Sequence, residues 1–180
     1  MSKLVPIIPI RDGIIFPNTD SVLTFGRPKS LDALESAFAN ERIVGFVLQK
    51  NSKLNEPAPS ELYSIGTLSH IERMIKTDGE INAQVKGLSR IKVVSYEQDH
   101  PFLLGKVVEF PDVEEDTPEV KALCNHLTNE FRRAMNLGKF VDFLVFMNIM
   151  SENTPSQLSN LMASVLDIKP EERQALLEEI

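Results

Sequence analysis

The chain contains no tryptophan, two tyrosines, three histidines and a single cysteine. Cys124 has no internal disulfide partner, so the fold does not depend on oxidation. No apolar run approaches the ~20 residues needed to cross a bilayer. The opening MSKLVPIIPI has one lysine and two early prolines, which is not the form of a cleaved signal or an amphipathic transit helix. A reducing, cytoplasmic location is therefore expected. Lys and Arg are nowhere clustered as a phosphate-binding surface requires, which argues against nucleic acid as a partner.

Signatures of catalysis are also missing. The eight glycines include no GxxxxGK[ST] loop: Gly105-Lys106 and Gly138-Lys139 lack both the earlier glycine and the Ser/Thr. There is no GxSxG elbow and no HExxH helix. Cys124 and His126 lie two apart on an expected helix and so point to different faces. His70 falls in a strand of alternating pattern. No hydroxyl, thiol or amine has an evident activating partner, and the chain alone is not expected to be an enzyme.

The hydrophobic share of 42% and charged share of 25% are those of an ordinary globular protein, large enough for one domain or two small ones. The net charge of −7 is unevenly spread. Residues 1–108 hold 13 basic against 12 acidic side chains, and residues 109–180 hold 6 against 14.

The texture changes at the same point. The first part alternates short β-rich runs with turns, with strands expected at 4–10, 21–25, 43–48, 65–76, 80–94 and 103–110. Gly79 is placed to supply the positive φ of a hairpin joining two of them, and Gly87 marks a bulge or bend. In RPKSLDALESAFAN, Leu31, Leu34, Ala37 and Phe38 recur at helical spacing, and Pro28 suits the first turn. The run EFPDVEEDTPE then reads as a solvated acidic linker. It lacks the spaced ligands and central glycine of a calcium loop, so no metal site is assigned.

Beyond the linker the period is helical. Thr117-Pro118 caps a helix whose apolar face is Val120, Leu123, Cys124, Leu127, Phe131, Ala134 and Met135, with Gly138 ending it. Residues 140–150 are apolar almost all round, which predicts a helix buried on most sides. Thr154-Pro155-Ser156-Gln157 is a capping box opening a third helix, with Leu158, Leu161, Met162, Val165 and Leu166 inward. A last helix from Pro170 is still running at LLEEI, which suggests a piece of something longer. The expected architecture is α+β: a β-rich lobe over 1–112 and a helical lobe over 113–180.

Four stretches, PIIPIRDGIIFPNT, LTFGRPKSLDALESAF, IVGFVLQK and LYSIGTLSHIERMIKTDGEINAQVKGLSRIKV, resemble in order and spacing the amino-terminal domain of Lon proteases. The likeness is close over about residues 4–95. QLSNLMASVLDIKPEERQALLE is similar to the helical region that follows. The resemblance implies a PUA-like β-barrel followed by a helical bundle, a non-catalytic part of an ATP-dependent serine protease that assembles as a hexamer. ATP and Mg would belong to the parent protein, not to this chain. The implied partners are unfolded or degron-bearing substrate proteins and further copies of the chain. Asn18 stands where the family commonly has glycine and Gly13 where it has valine.

Ile14, Ile15 and Phe16 lie between two turn signals and admit two readings. In one, Ile14 and Phe16 point into the core along a short strand, with Ile15 outside. In the other, this loop presents an apolar patch to substrate, joined by Leu54 or Leu62 from the NSKLNEPAPSELY loop. Arg27 and Lys29 are candidate holders of substrate carboxylates, against the simpler reading of solvated surface charges. With no tryptophan and only Tyr63 and Tyr96 to form aromatic pockets, broad and weak binding is expected. The competing expectation is an assembly module or a stand-alone binding protein.

Overall fold

In the computed structural model, which describes residues 2–179, six strands alternate with one helix and lead into four more. The strands are β1 (Ser2–Ile10), β2 (Asp20–Phe25), β3 (Ile43–Gln49), β4 (Leu62–Thr77), β5 (Glu80–Gln98) and β6 (Leu103–Phe110). The helix α1 (Pro28–Ala39) lies between β2 and β3, and α2 (Pro118–Asn136), α3 (Phe143–Met150), α4 (Pro155–Ser164) and α5 (Pro170–Glu178) follow the strands. The mixed α+β class agrees with the sequence pattern.

The sheet order is β2-β5-β4-β3-β1-β6, and β6 also pairs with β5, so five strands close into a ring with β2 appended outside β5. β1 and β3 run parallel and the other pairs are antiparallel. Closure explains why β5 extends beyond its apolar alternation: Ser95, Tyr96 and Gln98 pair with Lys106, Gly105 and Leu104 of β6. Lys76 and Thr77 continue β4 into the hairpin, where Gly79 has φ +82°.

Gly87 is the bulge position. The register steps from Leu68 opposite Ser89 to Ser69 opposite Gly87, leaving Leu88 unpaired. A Cβ there would stand 2.2 Å from the Phe16 carbonyl oxygen, so only glycine lets the 14–19 segment lie so close to β5. That segment is fixed by Asn18 N–H donating to the Gly87 carbonyl, Gly87 N–H donating to the Thr19 carbonyl, and Thr67 Oγ1 donating to the Ile15 carbonyl.

The helix signals are realised at the residues that carry them. Pro28 starts α1. Thr117 Oγ1 accepts from Val120 N–H, Thr154 and Gln157 form a reciprocal box, and Gly138, with φ +97°, follows α2. Phe131, Ile149, Leu158 and Leu161 form a small core among α2, α3 and α4. Ala163 of α4 and Leu177 of α5 belong instead to the large core built by the sheet and α1. The last two helices therefore seal the β layer, and Gln174 Nε2 of α5 donates to the Ile65 carbonyl of β4.

Two expectations about the helices are corrected. α3 begins at Phe143, not near residue 140, and buries only Ile149 fully. α2 fully buries only Phe131, leaving Leu123 and Leu127 exposed. Both helices meet neighbours on one side only: Cys124, Met135, Val145, Phe146 and Met150 are partly buried against the small core, while Leu123, Leu127, Phe143 and Leu144 face away from it.

Candidate functional site: a basic cavity and an apolar helical face

The stretch that follows β1 does not form a surface patch. Ile14, Ile15 and Phe16 are all buried, with Ile15 at 3% exposure and Phe16 at 1%. Thr67 and Gly87 hold the segment's backbone against β4 and β5, turning all three side chains into the main core. Even Ile15, which strand alternation points outward, is inside, because the segment is an irregular turn and carries no period of two. Leu62, at the start of β4, is likewise core. Leu54 is half-buried in its loop. The expected apolar loop patch is not formed by these residues in this structure.

Arg27 and Lys29 fare differently. Arg27 is the N-cap residue of α1, and its guanidinium turns inward, bonding Gln49 Oε1 at 2.9 Å, the Asn55 carbonyl at 3.1 Å and the Pro9 carbonyl. Buried Gln49 also donates from Nε2 to the carbonyls of Asn51 at 2.7 Å and Leu54 at 3.0 Å, so one side chain fixes both the arginine and the 51–55 loop. Lys29 pairs with Asp99 at 2.8 Å, and that bond holds the Asp99 carboxyl below its ordinary range.

Around Arg27 lies a partly open cavity of about 260 Å³, lined by Ile7, Pro9, Pro28, Pro57 and Leu103 and by the polar residues Lys29, Ser30, Asn55 and Glu56. A more open groove on the other side is lined by Arg11, Asp12 and the end of β2. Arg11 donates to Asn55 Oδ1, so both arginines converge on Asn55. Partial burial, and then the charge of Arg11, lower the pKa of Arg27. Among the described residues, every acceptor that Arg11 and Arg27 reach is neutral.

The sequence had pointed to Arg27 but not to Arg11, Gln49 or Asn55. Gln49 carried a signal, being the one polar residue closing the apolar strand IVGFVLQ. The convergence on Asn55 depends on a loop path that no local pattern encodes.

The second surface is helical. Phe140 is 92% exposed, and Phe143 and Leu144 are each 70% exposed. Phe143, Leu144 and Met147 share a face of α3 by spacing, and Leu137 is exposed at the turn before it. Apolar side chains so bare are unusual on a protein with nothing to bind.

Among the described residues, no group of three or more His, Cys, Asp or Glu side chains is placed to hold a metal, and no helix is long and apolar enough to cross a membrane. Gly105-Lys106 lies inside β6, paired with β1, and Gly138-Lys139 is the turn after α2. Neither is a phosphate loop.

A ring of strands sealed by helices, with an apolar helical face and a lined cavity, defines a binding domain. Residues 4–180 match the family of the ATP-dependent protease La (LON) substrate-binding domain, and the chain belongs to that family. It is 32% identical over 183 residues to a Lon protease of Clostridium acetobutylicum, covering 99% of this chain and 23% of that protein. A Lon protease of Aquifex aeolicus is 33% identical over 98% of this chain and 23% of its own length. The chain thus spans about a quarter or less of the relatives it matches. In fold it is similar to the N-terminal domain of the Mycobacterium avium complex Lon protease, with TM-score 0.70, 20% identity, and coverage of 99% of this chain and 91% of that one. A Lon N-terminal domain protein from Xanthomonas campestris gives TM-score 0.66 at 18% identity, covering 98% and 90%.

Proposed function

We propose that this chain is the non-catalytic substrate-recognition part of an ATP-dependent Lon serine protease of the cytoplasm, holding unfolded or degron-bearing proteins for degradation. The observation that carries this reading is the bare apolar face of α3, Phe143, Leu144 and Met147, on a member of a substrate-binding family. Burying ~400 Å² of such a face yields about 10 kcal/mol at ~25 cal/mol/Å². Association and the ordering of a flexible chain cost about 4–15 kcal/mol and so offset most of that gain. Micromolar or weaker binding results, suited to a domain that samples many clients and releases them to a motor. ATP and Mg would be used by the rest of the parent, a hexamer in this reading. A PUA-like β lobe over 1–112 and a helical lobe over 113–180 are the proposed division of the chain.

The test is an NMR titration of the chain with a permanently unfolded polypeptide, beside a Phe143→Ser/Leu144→Ser variant. Saturable shifts on α3 that weaken in the folded variant support recognition. Shifts that instead follow protein concentration alone, with sedimentation showing self-association lost in the variant, make the face an assembly surface.

A further inference from the structure

We propose that the cavity beside Arg27 binds the free C-terminal carboxylate of a polypeptide whose last side chain is apolar. The proposal rests on the reading above that the chain binds polypeptides, and it assigns a separate subsite for a chain end.

The cavity joins two chemistries within one residue's reach. Arg27 stands on its wall, and Arg11 shares both the adjoining groove and the Asn55 anchor. Their protein acceptors are the neutral oxygens of Pro9, Gln49 and Asn55, so two neighbouring guanidiniums lack a carboxylate partner among the described residues. Arg11 Nε is also buried with no protein acceptor. Two cations held this close repel, and an anion between them removes that repulsion while accepting charge-assisted bonds.

Nearby carboxylates do not fill this role. Asp12 and Glu56 are exposed at the rims and form no ion pair with either arginine, and Asp99 is held by Lys29. Lys29, already paired with Asp99, and Ser30 also line the cavity, but most of its remaining wall is apolar, Ile7, Pro9, Pro28, Pro57 and Leu103, and about 260 Å³ accommodates one aliphatic or aromatic side chain.

This combination selects the anion. An α-carboxylate carries its own side chain on the adjacent carbon, so the charge can meet the arginines while the apolar group enters the cavity. An Asp or Glu carboxylate brings no apolar group at that distance. Gln49 fixes Arg27 and the 51–55 loop in advance, which lowers the ordering cost of binding.

Fluorescence anisotropy of the full chain with three labelled ten-residue peptides tests this. One ends in leucine with a free carboxylate, one is its C-terminal amide, and one is an amide with an internal aspartate. The free acid is expected to bind about tenfold more tightly than the amide, the loss typical of one charge-assisted contact. Arg11→Gln and Arg27→Lys should each narrow the gap between acid and amide, and replacing the terminal leucine by glycine should weaken the acid. Equal binding of acid and amide overturns the proposal, needing no variant that must fold. So does binding that follows the internal aspartate, or an acid preference that survives in the Arg11→Gln/Arg27→Gln double variant. An unfolded polypeptide titrated in parallel separates the two readings. If it binds while acid and amide tie, only the chain-end subsite fails; if neither it nor the peptides bind, both readings fail.

Discussion

Arg90 reaches out of β5 to Asn160 of α4, its Nη2 donating to Oδ1 at 2.9 Å across 70 residues of sequence. The same guanidinium donates from Nε to the Leu177 carbonyl of α5 at 2.9 Å and pairs through Nη1 with Asp112. Asn160 Nδ2 closes the circuit by donating to Asp112 Oδ2 at 3.1 Å. One buried cation thus ties the β ring to the acidic linker, to α4 and to the last turn of α5. Because the charge is satisfied on every side, this junction is a specific joint and not merely an apolar contact.

Removing that cation leaves Asp112 without its counter-charge, with the amide of Asn160 as its remaining donor, and takes the arginine's donors from Asn160 Oδ1 and the Leu177 carbonyl. Arg90→Ala is therefore expected to cost about 3 kcal/mol or more in urea unfolding, the usual penalty for breaking a buried ion pair. Hydrogen exchange at α5 amides should rise more than exchange in β3. Uniform acceleration across the chain would show that α4 and α5 do not open as a unit.

Gly87→Ala should be among the most damaging single-methyl additions. The new Cβ would fall 2.2 Å from the Phe16 carbonyl oxygen, a backbone atom that cannot swing aside. Overpacking of this kind costs about 1–3 kcal/mol, and here the 14–19 segment must lift from β5 to relieve it. A fall in the urea midpoint with an unchanged slope checks this; an unchanged midpoint would mean that the segment tolerates displacement.

The sequence disclosed the local grammar well and the neighbourhood poorly. Hairpin, bulge and cap residues acted where they stood, because Gly79, Gly87, Thr117 and Thr154 impose their geometry through adjacent backbone. Apolar character was a weaker guide to burial. Ile15 is inside because two distant residues, Thr67 and Gly87, hold its segment down, whereas Phe143 and Leu144 are outside because, among the described residues, no element covers that face of α3. The same limit hid the cavity: Arg27 was legible at a helix start, but its meeting with Arg11 required the path of the 50s loop.

That reversal can be measured. Ile15→Ser removes a buried aliphatic group and buries a hydroxyl, so a loss of about 2–4 kcal/mol is expected. Leu144→Ser, at 70% exposure, should stay within about 0.5 kcal/mol of the parent. Thermal or chemical unfolding of the two variants side by side decides it, and a costly Leu144→Ser would mean that α3 is covered in solution, as self-association would do.

The seam that closes the ring is expected to weaken in acid. Glu109 of β6 accepts from a neighbour on each flanking strand: Lys3 Nζ of β1 at 2.7 Å and Ser89 Oγ of β5 at 2.7 Å. The Lys3 bond first, and then the Ser89 bond, hold its carboxyl below the ordinary glutamate value of 4.5. A carboxyl whose pKa is lower folded than unfolded contributes stability that is complete above the unfolded value and is lost as pH falls through the folded one. Both charged side chains are well exposed, so the contribution is that of a surface pair, about 0.2–1 kcal/mol. Glu109→Gln should be less stable than the parent by about that amount at pH 7. The difference should shrink as pH falls below 4.5, and it should be reduced by salt. Urea midpoints of the two proteins at several pH values measure it. A gap that stays constant into acid would assign the effect to packing, and would remove the carboxylate's charge from the account of how the ring is closed.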